Sequence, residues 1–225
     1  MNKVNVVVAV LVLALVVESA VIVTLYSRPA SSKSPEPKSY AVAKTYTVPY
    51  GVFNQPISND TEYNLDQSID GSWLIKIQSQ LTPSSSDPTK TEAQVAIAPE
   101  YPSENLSIPT IIVQERADGL LRVEYYAQDW EHTYGLVLYN STSPSWLNGN
   151  VTIEFVSYGP PVPVNPQLAP YPNGNLTITI GSTVVLKNYP IAWAGLSSFY
   201  VYGLNGSNFA GGSVNITVYE AKQGS

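Results

Sequence analysis

The feature that most constrains the fold is a series of short segments in which apolar and polar residues alternate. Three of them are near copies: NVTIEF from Asn150, NLTITI from Asn175 and NITVYE from Asn215. Successive side chains of a β-strand point to opposite faces, so each copy predicts a strand with one buried face and one exposed face of Asn and Thr. The residues expected to point inward are Val151 and Ile153, Leu176 and Ile178, and Ile216 and Val218.

About ten alternating segments follow one another after residue 72, and no helical period is found beyond residue 26. They include WLIKIQ from Trp73, AQVAIA from Ala93, TIIVQE from Thr110 and LLRVEYYA from Leu120. Many short strands separated by turn residues are typical of a sandwich. We therefore predict an all-β fold, a single Ig-like or pilin-like β-sandwich of roughly ten strands over residues 40–225.

Seven Asn-x-Ser/Thr sequons are dispersed along the chain. Random order at this composition would give about three, so the excess predicts N-linked glycans on a surface outside the cytoplasm. The alternative is that Asn favours turns and Thr favours strands, which would enrich the Asn-x-Thr pattern at the starts of strands without any glycosylation. The predicted glycosylation sites are Asn59, Asn105, Asn140, Asn150, Asn175, Asn205 and Asn215.

The N-terminal sequence MNKVNVVVAVLVLALVVESA has the outline of an export signal. We predict a signal peptide over residues 1–20, which implies contact with export machinery and the membrane through residues 4–26. The alternative is an uncleaved anchor that continues to residue 26, which would place Glu18 in lipid at a cost of several kcal/mol. Residues 27–39 carry three Pro and five Ser and predict an extended spacer.

Composition excludes several classes of function. The chain has no Cys, so disulfides, thiolate metal sites and thiol nucleophiles are absent. Acidic residues outnumber basic ones, 17 to 11, and the formal net charge is −6, which argues against a nucleic-acid partner. We predict no cofactor other than the covalent glycans.

Candidate chemical sites are weak. The single histidine, His132, follows two carboxylates in DWEH, but adjacent strand residues diverge and no G-x-S-x-G motif accompanies it. DQSIDG from Asp66 copies half of a calcium loop, yet Ile77 stands where a bidentate Glu belongs. We predict no catalytic residue and no metal site, and hence no enzyme. The four Trp, at 73, 130, 146 and 193, are expected in the core rather than on a sugar-binding platform.

Cleavage after Ala20 would leave the mature chain beginning VIVTLY, a β-prone apolar segment. Val21, Val23 and Leu25 would form one face of this strand. An exposed strand of this kind is expected to complete the sheet of a neighbouring molecule, and such a head-to-tail contact builds an open filament of identical subunits. The alternative donor strand is Tyr40–Val48, YAVAKTYTV.

The chain resembles the subunits of archaeal threads in the order of its parts. These are the signal VVVAVLVLALVV, the extension VIVTLY, the spacer SRPASSKSPEPKS and a Cys-free, Tyr-rich β-domain. Archaeal threads are glycosylated surface filaments of thermoacidophilic archaea, joined by donor-strand complementation. The resemblance implies an extracellular, cell-surface filament subunit. The alternatives are a membrane-anchored surface ectodomain, such as an adhesin or a surface-layer binding module, and, third, a secreted hydrolase.

Overall fold

The computed structural model describes residues 39–84, 87–98, 110–128, 133–160, 172–193, 195–204 and 206–222; of residues 59, 98, 126–128 and 133–135 it describes only the backbone. These residues belong to one compact unit, Pro37–Ser225. The predicted signal peptide, the donor-strand residues Val21, Val23 and Leu25, and most of the spacer lie outside the described residues. Nothing in the described part of the chain forms an apolar helix of membrane-spanning length.

Strands dominate the described residues. In chain order they are β1 (Tyr40–Pro49), β2 (Glu62–Ile69), β3 (Trp73–Pro83), β4 (Glu92–Ala98), β5 (Thr110–Arg116), β6 (Leu121–Gln128), β7 (Thr133–Ser141), β8 (Asn150–Ser157), β9 (Gly174–Ile180), β10 (Thr183–Ile191), β11 (Leu196–Gly203) and β12 (Phe209–Ala221). Two short 3-10 helices, Tyr50–Asn54 and Asn59–Thr61, join β1 to β2.

The strands form two antiparallel six-stranded sheets. Sheet A has the order β1-β12-β3-β8-β9-β10, and sheet B has the order β2-β11-β4-β5-β6-β7. The predicted all-β sandwich is confirmed, with twelve strands in the described residues where the sequence predicted about ten. Of the additional strands, β1 coincides with the predicted alternative donor strand and β2 was not predicted; each lies at an edge of a sheet.

The core lies between the two sheets and is built by the alternation seen in the sequence. On β3, Ile75, Ile77 and Leu81 are at most 1% exposed, while the residues between them reach solvent or carry polar groups. Each fully buried aliphatic side chain of this size stabilises the fold by about 1.5–3 kcal/mol. Trp73 and Trp193 pack with ring centroids 5.7 Å apart, and Trp146 is also buried, so these three Trp fill the core as expected.

Candidate functional site

The three repeated sequon strands all belong to sheet A, as β8, β9 and β12. Their apolar residues point into the core as the alternation predicts, each at most 1% exposed: Val151, Ile153, Leu176, Ile178, Ile216 and Val218. The Asn and Thr residues of the same strands therefore lie on the outer face of sheet A. Asn150 and Asn215 are exposed, and Asn175 is half-buried.

Two of these Asn residues lie in the same row across the sheet. Asn215 on β12 pairs with Gln78 on β3, and Gln78 pairs in turn with Asn150 on β8. On the other side, Asn215 pairs with Thr47 of β1, whose hydroxyl donates a 2.9 Å hydrogen bond to Asn215 Oδ1. Amide and hydroxyl side chains thus run across four neighbouring strands.

This row borders a groove of about 750 Å³ on the outer face. Every described residue that lines it is an amide, a hydroxyl residue or a glycine: Gln78, Ser79, Gln80, Thr82, Asn148, Gly149, Asn150, Gly212, Ser213 and Asn215. The side chains of Gln78, Gln80 and Asn148 are exposed. The groove therefore offers many hydrogen-bond donors and acceptors and no charge among the residues described.

The groove is concave because side chains are missing or short along one line. At Gly149 and Gly212 there is no side chain, and Ser213 contributes only a hydroxymethyl group. Gly212 has φ +106°, and a Cβ there would overlap the carbonyl oxygen of Gln80. Glycine is thus required at a position where β12 lies close to β3.

The loop before β8 forms one wall of the groove and is fixed by backbone hydrogen bonds to β3. Ser79 N–H donates to the Gly149 carbonyl at 2.8 Å, and Leu81 N–H donates to the Leu147 carbonyl at 2.9 Å. The Ser79 hydroxyl also donates to the Leu147 carbonyl, at 2.8 Å. These bonds continue the β3–β8 ladder and place Asn148 beside the groove.

Glu115 of sheet B holds the same loop from inside the sandwich. Its carboxylate is 1% exposed and accepts hydrogen bonds from the Ser145 hydroxyl at 2.6 Å, from Trp146 N–H at 2.6 Å and from Leu147 N–H at 3.2 Å. Burial raises the pKa of Glu115, and these hydrogen bonds oppose part of that rise. The carboxyl group is therefore a positioning group behind the groove and does not line it.

Two charged side chains on the outer face of sheet A, Lys76 and Glu154, contact Tyr residues outside the groove lining. The Lys76 ammonium lies 5.3 Å from the centre of the Tyr219 ring. The Tyr40 hydroxyl donates a 2.8 Å hydrogen bond to Glu154, and burial, then this contact, raise the pKa of Tyr40. Neither Lys76 nor Glu154 is among the described residues that line the groove.

The other predicted glycosylation sites are scattered. Asn140 is exposed on edge strand β7, and Asn59 begins a 3-10 helix in which the Thr61 hydroxyl of its sequon is buried and donates to the Ser58 carbonyl at 2.7 Å. Asn105 and Asn205 lie outside the described residues. Glycosylation of all seven stays a prediction.

The remaining candidates from the sequence do not converge on the groove. Tyr40–Val48, the alternative donor strand, pairs as β1 with β12 of its own chain. Asp66 of DQSIDG binds Lys44 at 2.6 Å, and the described residues hold no cluster of three or more His, Cys, Asp or Glu that could ligate a metal. His132 and Trp130 lie outside the described residues.

A second polar cluster, unnoticed in the sequence, lies on the outer face of sheet B. Glu92 and Gln94 are buried on β4, opposite the core residues Ala93 and Val95, and the Gln94 amide donates to the Glu92 carboxylate. Burial raises the pKa of Glu92; Gln94, Arg116 and Arg122 oppose that rise, and Glu124 adds to it. The cluster could have been found only from the register of three strands, β4, β5 and β6.

The chain matches no protein-family model and no curated protein. Among solved structures, it is similar to a fructofuranosidase from Schwanniomyces occidentalis complexed with fructosylnystose, with 11% identity and a TM-score of 0.45; the match covers 82% of this chain and 35% of the enzyme. Alginate lyase vAL-1 from Chlorella virus has 10% identity and a TM-score of 0.41, and the match covers 83% of this chain and 90% of the lyase. A Bacillus licheniformis β-glucanase has 8% identity and a TM-score of 0.39, and the match covers 79% of this chain and 78% of the glucanase.

These neighbours contradict two predictions from the sequence, that the chain is a filament subunit and that it is not an enzyme. The reason is that composition and strand alternation predict a β-sandwich but do not specify its function, because one fold supports many unrelated functions. The likeness concerns the fold, so no substrate or reaction is transferred from these enzymes. None of the three is a thread subunit, and the predicted contacts with identical subunits and export machinery stay untested.

Proposed function

We propose that this protein is an extracellular carbohydrate-active protein that holds a neutral, hydroxyl-rich glycan in the groove on sheet A. The observation that carries the proposal is the lining, in which all the described residues are amides, hydroxyl residues or glycines. A polar ligand that presents hydroxyl groups on several sides matches this surface.

The chemistry of the side chains favours sugars over other small ligands. Each Asn or Gln offers one acceptor oxygen and two donor hydrogens, so a pair of amides can bind two neighbouring hydroxyls of one sugar ring. The volume of about 750 Å³ is within the range of small-ligand sites. Gln78, between Asn150 and Asn215, is placed to contact a ligand from either side.

Neutrality of the lining favours uncharged glycans. A uronate or sulfated sugar would bring a carboxylate or sulfate to a groove with no described cation in its lining, and Lys76, two residues from Gln78 on β3, lies over the Tyr219 ring. The formal net charge of −6 adds long-range repulsion. We therefore expect neutral hexose polymers to bind and acidic polysaccharides to be excluded.

The test is isothermal titration of the full-length, unglycosylated protein with a panel of neutral and acidic oligosaccharides. Gln78→Ala should weaken binding of the best neutral ligand by about tenfold or more, because a site built for hydroxyls leaves partners unpaired when one amide is removed. Thr179→Ala, on the same outer face but on β9, is the matched control and should leave affinity unchanged. Equal affinity of Gln78→Ala and wild type would refute the groove as the site.

A second candidate function is acid–base chemistry on a glycan at the outer face of sheet B. The observation that favours it is the Glu92 carboxylate, whose pKa burial and the neighbouring Glu124 raise. A carboxyl group beside a second carboxylate is the pairing used for glycosidic bond cleavage. Incubation with the same oligosaccharide panel tests it: products that disappear in Glu92→Gln but persist in Gln114→Ala would support it, and no product in any arm would reject it.

A further inference from the structure

We infer that the groove on sheet A is occupied by the protein's own N-linked glycan, attached at Asn150 or Asn215, and that this glycan excludes external ligand. The inference rests on the proposed function, since it gives the same groove a regulated occupant. It joins two observations that arose separately, the sequons of the sequence and the groove of the structure. Both Asn150 and Asn215 line that groove.

The two acceptor residues lie on opposite sides of Gln78. Each is one strand away from it, so their backbones are about 10 Å apart across the sheet. Both side chains point outward, because their neighbours Val151, Val214 and Ile216 point into the core. A sugar on either residue would therefore begin inside the groove or at its rim.

The amide of Asn215 can carry a glycan without losing its hydrogen bond in the folded sheet. Thr47 donates to its Oδ1, which leaves Nδ2, the atom that carries an N-linked sugar, facing away from that hydrogen bond. The new bond joins C1 of the sugar to Nδ2. The bond that breaks is the C1–oxygen bond to the diphosphate of an activated glycosyl donor, which leaves as the anion while one amide proton passes to base.

The fold indicates when the sugar is added. β8 and β12 are interior strands of sheet A and are hydrogen-bonded on both sides. Their sequons are therefore held extended in the ladder and are not free to bend into a transferase. Modification must precede folding, and the glycan is then carried to its place as the strands pair.

Attachment makes the glycan a favoured occupant. A covalently linked ligand is present at an effective concentration that is typically in the millimolar range, so even weak contacts with Gln78, Gln80 and Asn148 keep it seated. A free neutral oligosaccharide must displace it. Glycosylation at either position thus closes the groove.

Asn175 supplies an internal control. It lies on β9, on the same outer face, but it does not line the groove. Its sequon is removed by Thr177→Ala, while Thr152→Ala and Thr217→Ala remove the sequons at Asn150 and Asn215 and keep both groove amides. Neither Thr152 nor Thr217 is among the residues that line the groove.

The experiment compares full-length proteins made in a host that performs N-glycosylation. Glycopeptide mass spectrometry measures occupancy, and titration with the neutral ligand identified on unglycosylated protein measures binding. We expect the double variant Thr152→Ala/Thr217→Ala to bind at least about tenfold more tightly than wild type, and Thr177→Ala to bind like wild type. Unoccupied Asn150 and Asn215 in the wild type, or equal affinity of occupied wild type and double variant, would overturn the inference.

A second readout separates this inference from the proposed function. The side-chain NH₂ resonances of Gln78 and Gln80 in NMR spectra should shift between glycosylated wild type and the double variant, and not between wild type and Thr177→Ala. If unglycosylated protein binds no neutral glycan, the proposed function fails whatever these resonances do. If it binds but the resonances do not respond to glycosylation, the seated glycan is rejected and the proposed function stands.

Discussion

The carboxylate of Glu115, in sheet B, accepts a 2.6 Å hydrogen bond from the backbone N–H of Trp146, at the start of the segment that leads to the groove of sheet A. Two residues further along the chain, Asn148 lines the groove. The two sheets are therefore linked at this point by more than apolar contact. A buried side chain on one sheet sets the geometry of a polar site on the outside of the other.

Removal of this carboxylate should cost both stability and binding. Glu115→Ala leaves the Trp146 and Leu147 N–H groups without their acceptor, and we expect a loss of about 2–4 kcal/mol in the free energy of unfolding. Urea unfolding at neutral pH measures it. Gln114→Ala changes the neighbouring residue, on the opposite face of β5, and should cost less than about 0.5 kcal/mol. A loss of similar size in both variants would contradict a specific role for Glu115.

Stability should increase as the pH falls from 7 towards 4.5. The folded-state pKa values of Glu92 and Glu115 are raised above the ordinary 4.5, chiefly by burial, so the folded protein binds more protons than the unfolded chain in this range. The stabilisation is complete below the ordinary value and is lost as the pH rises through the raised values. The lowered pKa values of Asp87 and Asp118 act in the opposite sense, but both groups are exposed to solvent and contribute little.

Thermal melting between pH 4 and pH 7 tests this prediction. The wild type should have its higher melting temperature at the acidic end, and Glu92→Gln or Glu115→Gln should flatten the dependence. Asp87→Asn is the matched control and should leave the slope nearly unchanged. A melting temperature that rises steadily from pH 4 to pH 7 would contradict the assignment of these two carboxyl groups.

Most strands of the sandwich were predictable because apolar and polar residues alternate along them, whereas the edge strand β2 was not, because its sequence lacks this alternation. β2, EYNLDQSI, has few apolar residues and only Ile69 is fully buried, since an edge strand pairs with one neighbour only. The groove was hidden for another reason: Gln78, Asn148 and Asn215 come from segments far apart in the chain, and Asn, Gln and Gly are ordinary turn residues. Their convergence follows from strand order, which alternation does not specify.

Asn173 should be one of the most sensitive polar residues. Its buried side chain accepts from Trp193 N–H at 2.8 Å and donates to the carbonyls of Trp193 at 2.8 Å and Pro160 at 2.9 Å. Asn173→Ala leaves these buried groups unpaired and should destabilise the fold by about 2–4 kcal/mol in urea unfolding. Asn175→Ala, two residues along on the outer face, is the control. Wild-type stability of Asn173→Ala would show that the three bonds are not formed in solution.

Two adjacent glycines on β12 should respond oppositely to the same substitution. Gly212→Ala places a Cβ against the Gln80 carbonyl at φ +106°, and we expect a loss of about 2–4 kcal/mol in the free energy of unfolding, because both the contact and the backbone angle oppose it. Gly211 has open space around it and no positive φ, so Gly211→Ala should be neutral or stabilise by up to about 1 kcal/mol. Paired urea titrations measure the difference. Since β12 forms one side of the groove, a residual folded fraction of Gly212→Ala should also bind neutral glycan more weakly; equal stability of the two variants would contradict the close approach of β12 to β3.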